Sequence, residues 1–380
     1  MAHKIYLTDY HCITPLGFSV QENWDALKRN QSGIMTQYYS EQFPEVCASI
    51  IDNDKIEQNY SFNLENQNLT RLEKLLALSL KPLAERQKIT EKSLLILSTT
   101  KGNISRLKGN STPPASAFLY ETAQKIAHLF GFRTKPVVVS NACVSGVMAV
   151  AVAKNLLQTH LYDNAFVIAG DEVTEFVLSG FSSFQAMSSE PCRPYDKTRN
   201  GINIGEATAA VFLSKDHPVA GNIFEVLGDS SINDANHISG PHRTGEGLYR
   251  SVTRALKEAK LSPADIDFIS AHGTATLYND EMESFAFSRA GLSDVPLNSL
   301  KGFYGHCLGA SGLLELISAM ESAQHNMLIK SLNFSENGVS QPINVIAENT
   351  EKEISTILKT ASGFGGCNSA LILKKRHGEA

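Results

Sequence analysis

Residues 137–150 read VVVSNACVSGVMAV, and this stretch decides the fold that the sequence predicts. Three successive valines are typical of a buried strand, and the apolar run that starts at Val144 is typical of a core helix. The turn between the two elements therefore places Cys143 at a helix N-terminus. The partial positive charge there favours a thiolate, and the amides of the turn can hold an oxyanion. A structural cysteine would explain this segment alone equally well.

Outward from this stretch, short apolar runs alternate with longer helix-like stretches. Runs of the strand type lie at residues 94–97, 137–139, 166–169, 209–213 and 266–269. Stretches of the helix type lie at residues 69–85, 144–158, 248–260, 280–289 and 309–324. Strands and helices that alternate in this way predict an α/β protein built of layers.

A duplication is indicated because each half of the chain carries an irregular, reactive turn after a buried strand. Cys143 occupies that turn in the first half, and His272 occupies it in the second. The natural break is at residues 216–222, which contain a proline and a glycine. We therefore predict two halves, residues 1–217 with the cysteine and residues 218–380 with the histidines.

The composition excludes several classes of protein. The formal net charge of -5 gives no basic excess for binding nucleic acid. The six cysteines form no C-x-x-C pair, so we predict neither a disulfide framework nor a metal site. Residues 1–17 mix charged and apolar side chains, unlike a signal peptide, and the longest apolar run, residues 147–153, is too short to span a membrane. We therefore expect a cytoplasmic protein with reduced thiols.

The second candidate segment is DFISAHGTAT at residues 267–276, where His272 follows a buried strand. A histidine at a strand end can exchange a proton near neutral pH, and Thr274 and Thr276 can hydrogen-bond a polar substrate arm. A lone loop histidine is more often an ordinary satisfied polar group. Its assignment therefore depends on the other segments.

Two glycine-rich segments complete the set. Residues 300–315 read LKGFYGHCLGASGLLE, in which Lys301 and His306 are five residues apart and Glu315 can anchor a charge network. Glycines let the backbone approach a ligand closely. Near the C-terminus, residues 362–370 read SGFGGCNSA, which indicates a mobile loop or a tight turn between strands.

Together and in this order, the segments resemble those of the β-ketoacyl-acyl-carrier-protein synthases, which have a thiolase-like fold. The resemblance covers nearly the whole chain. It rests on the cysteine turn, the His-Gly-Thr-x-Thr segment, the lysine and Gly-His element and the Gly-Phe-Gly-Gly loop, and on residues 192–206, which begin Cys-Arg-Pro-Tyr-Asp. It implies a duplicated, five-layered α-β-α-β-α arrangement.

The resemblance also implies a role for each candidate residue. Cys143 would take an acyl group from a thioester. His272 and His306 would stabilise the enolate that a malonyl-type extender forms when it loses carbon dioxide. Lys301 would support the second histidine, and Glu315 would fix the network of charges around it. Phe364 would gate access to the acyl pocket and supply an amide to the oxyanion hole. Thr274 and Thr276 would contact the phosphopantetheine arm.

The resemblance implies an acidic acyl carrier protein as partner, which brings its own phosphopantetheine, so no resident cofactor is expected. Arg71, Lys74 and Arg193 match positions that can receive this partner, although ordinary solvated cations explain each one equally well. A homodimer is the default assembly. A heterodimer with a subunit resembling a chain length factor is the alternative.

Three other interpretations stay open. A thiolase would share the fold, but it would need a second catalytic cysteine, for which Cys307 and Cys367 are candidates. A non-catalytic partner subunit would lack the nucleophile, which this chain retains. A purely structural protein would give no reason for a thiol and two histidines at strand exits.

Two features of the sequence depart from the family pattern. The stretch 101–137 is short, and Leu277 stands where proline is common.

Overall fold

A computed structural model describes residues 3–60, 68–109, 112–215, 223–236 and 240–376. Within these residues the α-helices are α1 (Val20–Lys28), α2 (Asn53–Asn59), α3 (Arg71–Arg86), α4 (Leu119–Leu129), α5 (Ser145–Gln158), α6 (Glu175–Ser183), α7 (Glu246–Ala259), α8 (Leu277–Arg289), α9 (Lys301–Tyr304) and α10 (Ser311–His325). The strands are β1 (Tyr6–Ile13), β2 (Met35–Gln37), β3 (Val46–Ser49), β4 (Ser93–Ser98), β5 (Val137–Val139), β6 (Asn164–Asp171), β7 (Ile204–Gly205), β8 (Ala207–Ser214), β9 (Ile223–Asn233), β10 (Phe268–Ser270), β11 (Pro296–Asn298), β12 (Met327–Leu328), β13 (Asn344–Val345), β14 (Thr350–Glu351), β15 (Thr356–Gly363) and β16 (Cys367–Arg376).

The main sheet repeats one topology in the two halves of the chain. Its order is β13-β11-β10-β15-β16-β9-β1-β8-β6-β4-β5, and β1 joins β9 through the register pairs Tyr6 with Glu225 and Leu7 with Phe224. In the first half β4 pairs in parallel with β5 and β6, and β8 pairs antiparallel with β6 and β1. In the second half β10 likewise pairs in parallel with β11 and β15, and β16 pairs antiparallel with β15 and β9. This repeat supports the duplication. The predicted break at residues 216–222 lies outside the described residues, so the boundary between residues 217 and 218 stays a prediction.

The main sheet divides between β9 and β1 into two half-sheets, one from each half of the chain, and the helices lie in three layers around them. Helices α5 and α10 pack on each other between the half-sheets, whereas α3 and α4 cover the outer face of the first and α7 and α8 cover the second. The central pair approach closely because small residues meet at their N-termini. A Cβ added at Gly146 would lie 2.7 Å from the amide nitrogen of Leu313. The predicted five-layered, thiolase-like arrangement is confirmed.

Most predicted elements form close to their expected places. Four strand-type runs lie within β4, β5, β6 and β8, and the run at 266–269 forms β10 one to two residues later. Helix α3 begins two residues later than predicted because Thr70 and Glu73 form a capping box there. No helix in the described ranges is long and apolar enough to cross a membrane.

Candidate active site

A cavity of about 410 Å³ brings together the three residues that the sequence singled out. Cys143, His272 and His306 all line it and all are buried. The cysteine Sγ and one ring nitrogen of each histidine lie within 4.8 Å of one another. A thiol and two imidazoles at this spacing can exchange protons and bind a single reacting group.

Cys143 lies in the predicted strand-to-helix turn. Ala142 takes a positive φ of 44°, and the Ser145 hydroxyl closes the turn by accepting from the Asn141 amide at 2.7 Å and donating to the Ala142 carbonyl at 2.6 Å. Burial raises the pKa of Cys143 to about 12, against the opposing effects of Lys301, Lys101 and the Phe364 amide. The site therefore holds a thiol at rest, and the thiolate expected at this helix N-terminus forms only when a base takes the proton.

His306 lies in the loop that opens α10, and its tautomer is fixed by the backbone. Its Nδ1 accepts from the Leu308 amide at 2.9 Å and lies 3.1 Å from the Ser311 hydroxyl. Burial, and then the charge of Lys301, lowers the pKa of this imidazole well below 6.5. The ring is therefore neutral, with its proton on Nε2.

Asp171 at the end of β6 holds this loop in place. Its buried carboxylate accepts from the backbone amides of Gly309, Thr100 and Lys101. The carboxylate thus ties the His306 loop of the second half to a loop of the first half. Sequence analysis missed Asp171 because its partners are distant in the chain.

His272 follows β10 and is held by carboxylates of α8. Glu283 accepts from the amides of His272 at 2.9 Å and Gly273 at 2.7 Å, and Asp280 accepts from the Thr274 amide at 2.9 Å. Burial raises the pKa of Glu283 to about 7, with Asp280 adding to the rise. The acidic residues at 280 and 283, eight and eleven positions after the histidine, are the sequence signal that was overlooked.

The two imidazoles are both uncharged. Their ring centroids lie 5.4 Å apart with their planes at 85°. Burial is the main cause that lowers the pKa of His272 well below 6.5, followed by Lys301, His306 and Lys359. Two neutral rings that face one cavity can each donate one hydrogen bond to the same oxygen.

Lys301 and Glu315 form the predicted charge network, and a further lysine joins it. Lys301 Nζ lies 2.6 Å from Glu315 Oε1, and Lys359 Nζ lies 2.5 Å from Glu315 Oε2. All three side chains are buried. Lys359 was missed, although a lysine within the otherwise apolar and small run of β15 is an unusual feature of the sequence.

Phe364 stands at the cavity wall in the loop between β15 and β16. Its ring centroid lies 5.1 Å from that of Phe184 and 5.7 Å from that of Phe181, and its amide hydrogen-bonds the Cys143 sulfur. A Cβ added at Gly363 would lie only 3.0 Å from the Cys143 nitrogen. The loop and the cysteine turn are thus in direct contact, as an oxyanion hole built from both amides requires.

Thr274 and Thr276 line the same cavity, and their hydroxyls lie 2.8 Å apart. Among the described residues that line the cavity, Asp234 is the only Asp, Glu, Lys or Arg, so the two threonine hydroxyls contribute hydrogen bonding rather than charge. Contact with a phosphopantetheine arm stays a prediction.

The three candidate docking cations are all paired within the chain. Arg71 binds Glu172 at 3.2 Å and Glu206 at 2.8 Å and also donates to a backbone carbonyl and to an asparagine, so its donors are occupied. Lys74 binds Glu57 at 2.6 Å, and Arg193 binds Glu190 at 3.0 Å. Arg71 is thus poorly suited to receive a partner, whereas the other two pairs are partly exposed.

The cavity residues also have the ligand types that zinc uses, because a thiol and two imidazoles converge. The same three groups can instead transfer protons and donate hydrogen bonds. The absence of a metal stays a prediction. All six cysteines are buried and unpaired in the structure.

Comparison with known proteins agrees with this geometry. The family description "Beta-ketoacyl synthase, N-terminal domain" matches residues 91–218, and "Beta-ketoacyl synthase, C-terminal domain" matches residues 223–335. The 3-oxoacyl-[acyl-carrier-protein] synthase 2 of Rhizobium meliloti is 34% identical over 258 residues, which are 63% of this chain and 61% of that protein.

Two further proteins match over nearly their full length. The 3-oxoacyl-[acyl-carrier-protein] synthase homolog of Saccharomyces cerevisiae is 26% identical, and the match covers 100% of this chain and 100% of that protein. The solved ketosynthase ApeO of Xenorhabdus doucetiae, in complex with its chain length factor ApeC, has a TM-score of 0.85 at 25% identity, with 98% of each chain covered. The matched halves, the fold and these relatives lead to one conclusion: this chain belongs to the β-ketoacyl synthase family, whose members are acyltransferases.

Proposed function

We propose that this chain is a β-ketoacyl-[acyl-carrier-protein] synthase that condenses an acyl group on Cys143 with malonyl-carrier protein, in fatty acid or polyketide biosynthesis. The observation on which the proposal rests is the convergence of one thiol and two neutral imidazoles, within 4.8 Å, on one cavity. Nucleophilic and enolate-stabilising groups are thereby available at the same place.

The first half-reaction is acyl transfer to the cysteine. A neutral imidazole takes the thiol proton, and the Cys143 sulfur attacks the thioester carbonyl of the acyl-carrier protein. The oxyanion is stabilised by the amides of Cys143 and Phe364. The bond between the carbonyl carbon and the carrier sulfur then breaks, and the departing pantetheine thiolate takes up the proton. His272 is the base within reach, because Nδ1 of the neutral His306 ring accepts from the Leu308 amide and its Nε2 already carries a proton.

The second half-reaction forms the carbon–carbon bond. His272 and His306 donate hydrogen bonds to the thioester oxygen of the malonyl group, which stabilises the enolate formed as carbon dioxide leaves. The enolate carbon attacks the acyl carbonyl on Cys143, and the bond to the cysteine sulfur breaks. The Cys143 thiolate takes up a proton from solvent water, and the β-ketoacyl product stays on the carrier protein.

The carrier protein supplies the phosphopantetheine, so the proposal includes no resident cofactor. Its arm would enter along the cavity wall that Thr274 and Thr276 form. Lys74 and Arg193 are the docking cations that we favour, because Arg71 is committed to two buried carboxylates. A cytoplasmic location is part of the proposal.

We also propose that the chain works as a dimer. Strand β5 is the last strand of the main sheet, and its second edge pairs with no strand in the described part of the chain. Its three residues are valines, which is a composition suited to pairing with another chain. The solved complex of ApeO with its chain length factor supports the heterodimer as an alternative to the homodimer.

Intact-protein mass measurement tests the proposal. Incubation with an acyl-carrier protein should add one acyl group to the wild type and none to Cys143→Ala, whereas Cys12→Ala, which removes another buried thiol, should behave like the wild type. Release of carbon dioxide from malonyl-carrier protein separates the synthase from a thiolase, which would use coenzyme A thioesters without decarboxylation. An adduct that persists in Cys143→Ala would contradict the assignment.

A further inference from the structure

Lys359 is a buried cation that neither half-reaction uses. It lies on β15, and its register partner on the parallel strand β10 is Ser270, two residues before His272. Its Nζ binds Glu315 and donates to the carbonyl oxygens of Ser270 at 3.2 Å and Ala271 at 3.4 Å. The side chain therefore reaches from the charge network to the backbone that carries the histidine.

Glu315 is shared between two ammonium groups, one on each carboxylate oxygen. Two cations and one carboxylate leave these three side chains with a net charge of one positive unit. Glu283, the other carboxylate that faces Lys359, has its pKa raised to about 7 by burial and by Asp280, so it offsets this charge only in part near neutral pH.

We propose that Lys359 is a positioning residue for His272: it holds the end of β10 through two carbonyl oxygens and places a positive charge beside the imidazole, which adds to the effect of burial in keeping the ring neutral. This inference rests on the proposed function, in which the neutral ring is the working form. The same charge also favours the enolate oxygen as it becomes negative.

The charged and titratable groups around His272 come from every element packed on it, namely Lys301 of α9, Lys359 of β15, Glu283 of α8, Glu315 of α10, His306 and Cys143. Both lysines lower the pKa of His272. Removing one unit charge at an effective dielectric constant of about 20 and a separation of about 10 Å shifts a pKa by about one unit. Loss of the Lys359 charge should therefore raise the pKa of His272 towards 6.5.

Two variants separate the charge of Lys359 from its shape. Lys359→Met removes the charge and keeps an unbranched side chain, whereas Lys359→Arg keeps the charge and changes the shape. Lys154→Met is the matched control, because Lys154 is also buried and also binds two carboxylates, Asp229 at 2.7 Å and Glu258 at 2.6 Å. The readouts are kcat and KM for carbon dioxide release from malonyl-carrier protein against pH, and the NMR titration of the His272 ring, assigned with His272→Gln.

In Lys359→Met the acidic limb of kcat and the His272 titration should move to higher pH by about one unit, with KM little changed. The limb should stay at the wild-type pH in Lys359→Arg and Lys154→Met, whatever their absolute rates. An unmoved limb in Lys359→Met, or an equal movement in Lys359→Arg, would overturn the inference. If neither Lys359→Met nor Lys359→Gln folds while Lys154→Met does, Lys359 has a structural role instead. Failure of the proposed function looks different, because the wild type itself would then release no carbon dioxide.

Discussion

The amide of Leu308 donates a hydrogen bond to Nδ1 of His306 at 2.9 Å, and this contact decides which nitrogen of the ring carries the proton. An atom that accepts from an amide has no proton of its own, so the neutral ring is protonated on Nε2. The backbone thus leaves His306, a residue of the cavity wall, with its hydrogen-bond donor at Nε2. The proximity of Ser311 to the same Nδ1 agrees with this assignment.

The first prediction concerns the loss of that donor. His306→Ala should lower decarboxylation of malonyl-carrier protein by on the order of 100- to 1000-fold, the range typical for removal of one oxyanion donor. Acylation of Cys143 should be less affected, because His272 remains to accept the thiol proton. Carbon dioxide release and acyl-enzyme mass measure the two steps. His160→Ala, at an exposed site, is the control, and equal loss of both steps would contradict the separate roles.

The second prediction is the pH dependence of decarboxylation. The pKa values of His272 and His306 are both lowered well below 6.5, mainly by burial. A histidine is neutral above its pKa, so both rings keep the donor form as the pH falls through 6.5. The decarboxylation rate should therefore be level around pH 6.5 and fall only in more acidic buffer. A rate that rises as the pH drops towards 6.5 would indicate that the imidazolium is the working form.

Sequence patterns located Cys143 and His272 because each follows a short apolar strand, whereas His306 follows α9 and was located by its glycine-rich loop. The valines of β5 predicted the turn of Cys143, and the run before His272 predicted the exit of β10 within two residues. Such signals are local, since a buried strand and the turn after it are contiguous in the chain. The helix that follows Cys143 was predicted for the same reason.

The groups that support the site could not be predicted in this way. Lys359 meets Glu315 only because α10 packs on β15, and Asp171 meets Gly309 only because the two halves pack together. The spacing of these residues along the chain does not predict these contacts. The sequence predicted a thiolate at Cys143, but burial raises the pKa of this thiol. This too could not be predicted from the sequence, because the depth of burial depends on the packing of both halves.

The third prediction concerns the contact between the Phe364 loop and the cysteine turn. Gly363→Ala places a Cβ 3.0 Å from the Cys143 nitrogen and 3.1 Å from the Ala142 Cβ, so the loop or the cysteine turn must give by a few tenths of an ångström. We expect this shift to misalign the Phe364 amide with the oxyanion, and acylation should fall by on the order of 100-fold. Gly180→Ala is the control, because an added Cβ there has no neighbour within 4 Å. The rate of Cys143 acylation is measured in both variants from samples quenched at timed intervals. A wild-type rate in Gly363→Ala would contradict the shared oxyanion hole.

The last prediction concerns the carrier protein. Arg193 is partly exposed, and in the described part of the chain its side chain binds Glu190 and Thr198. Such surface pairs contribute little to stability, so Arg193 can exchange partners. Arg193→Glu should raise KM for acyl-carrier protein about tenfold and leave self-acylation by small thioesters unchanged, because only the large acidic partner needs the cation. Arg86→Glu is the matched control. Arg86 is the last residue of α3, where it binds Asp9, and it lies at the N-terminal end of β4. Cys143 follows the C-terminal end of β5, which is parallel to β4, so the two residues are at opposite ends of these strands. If both substrates lose activity equally in Arg193→Glu, or if Arg86→Glu raises KM as much, the positive surface near residue 193 is not where the carrier binds.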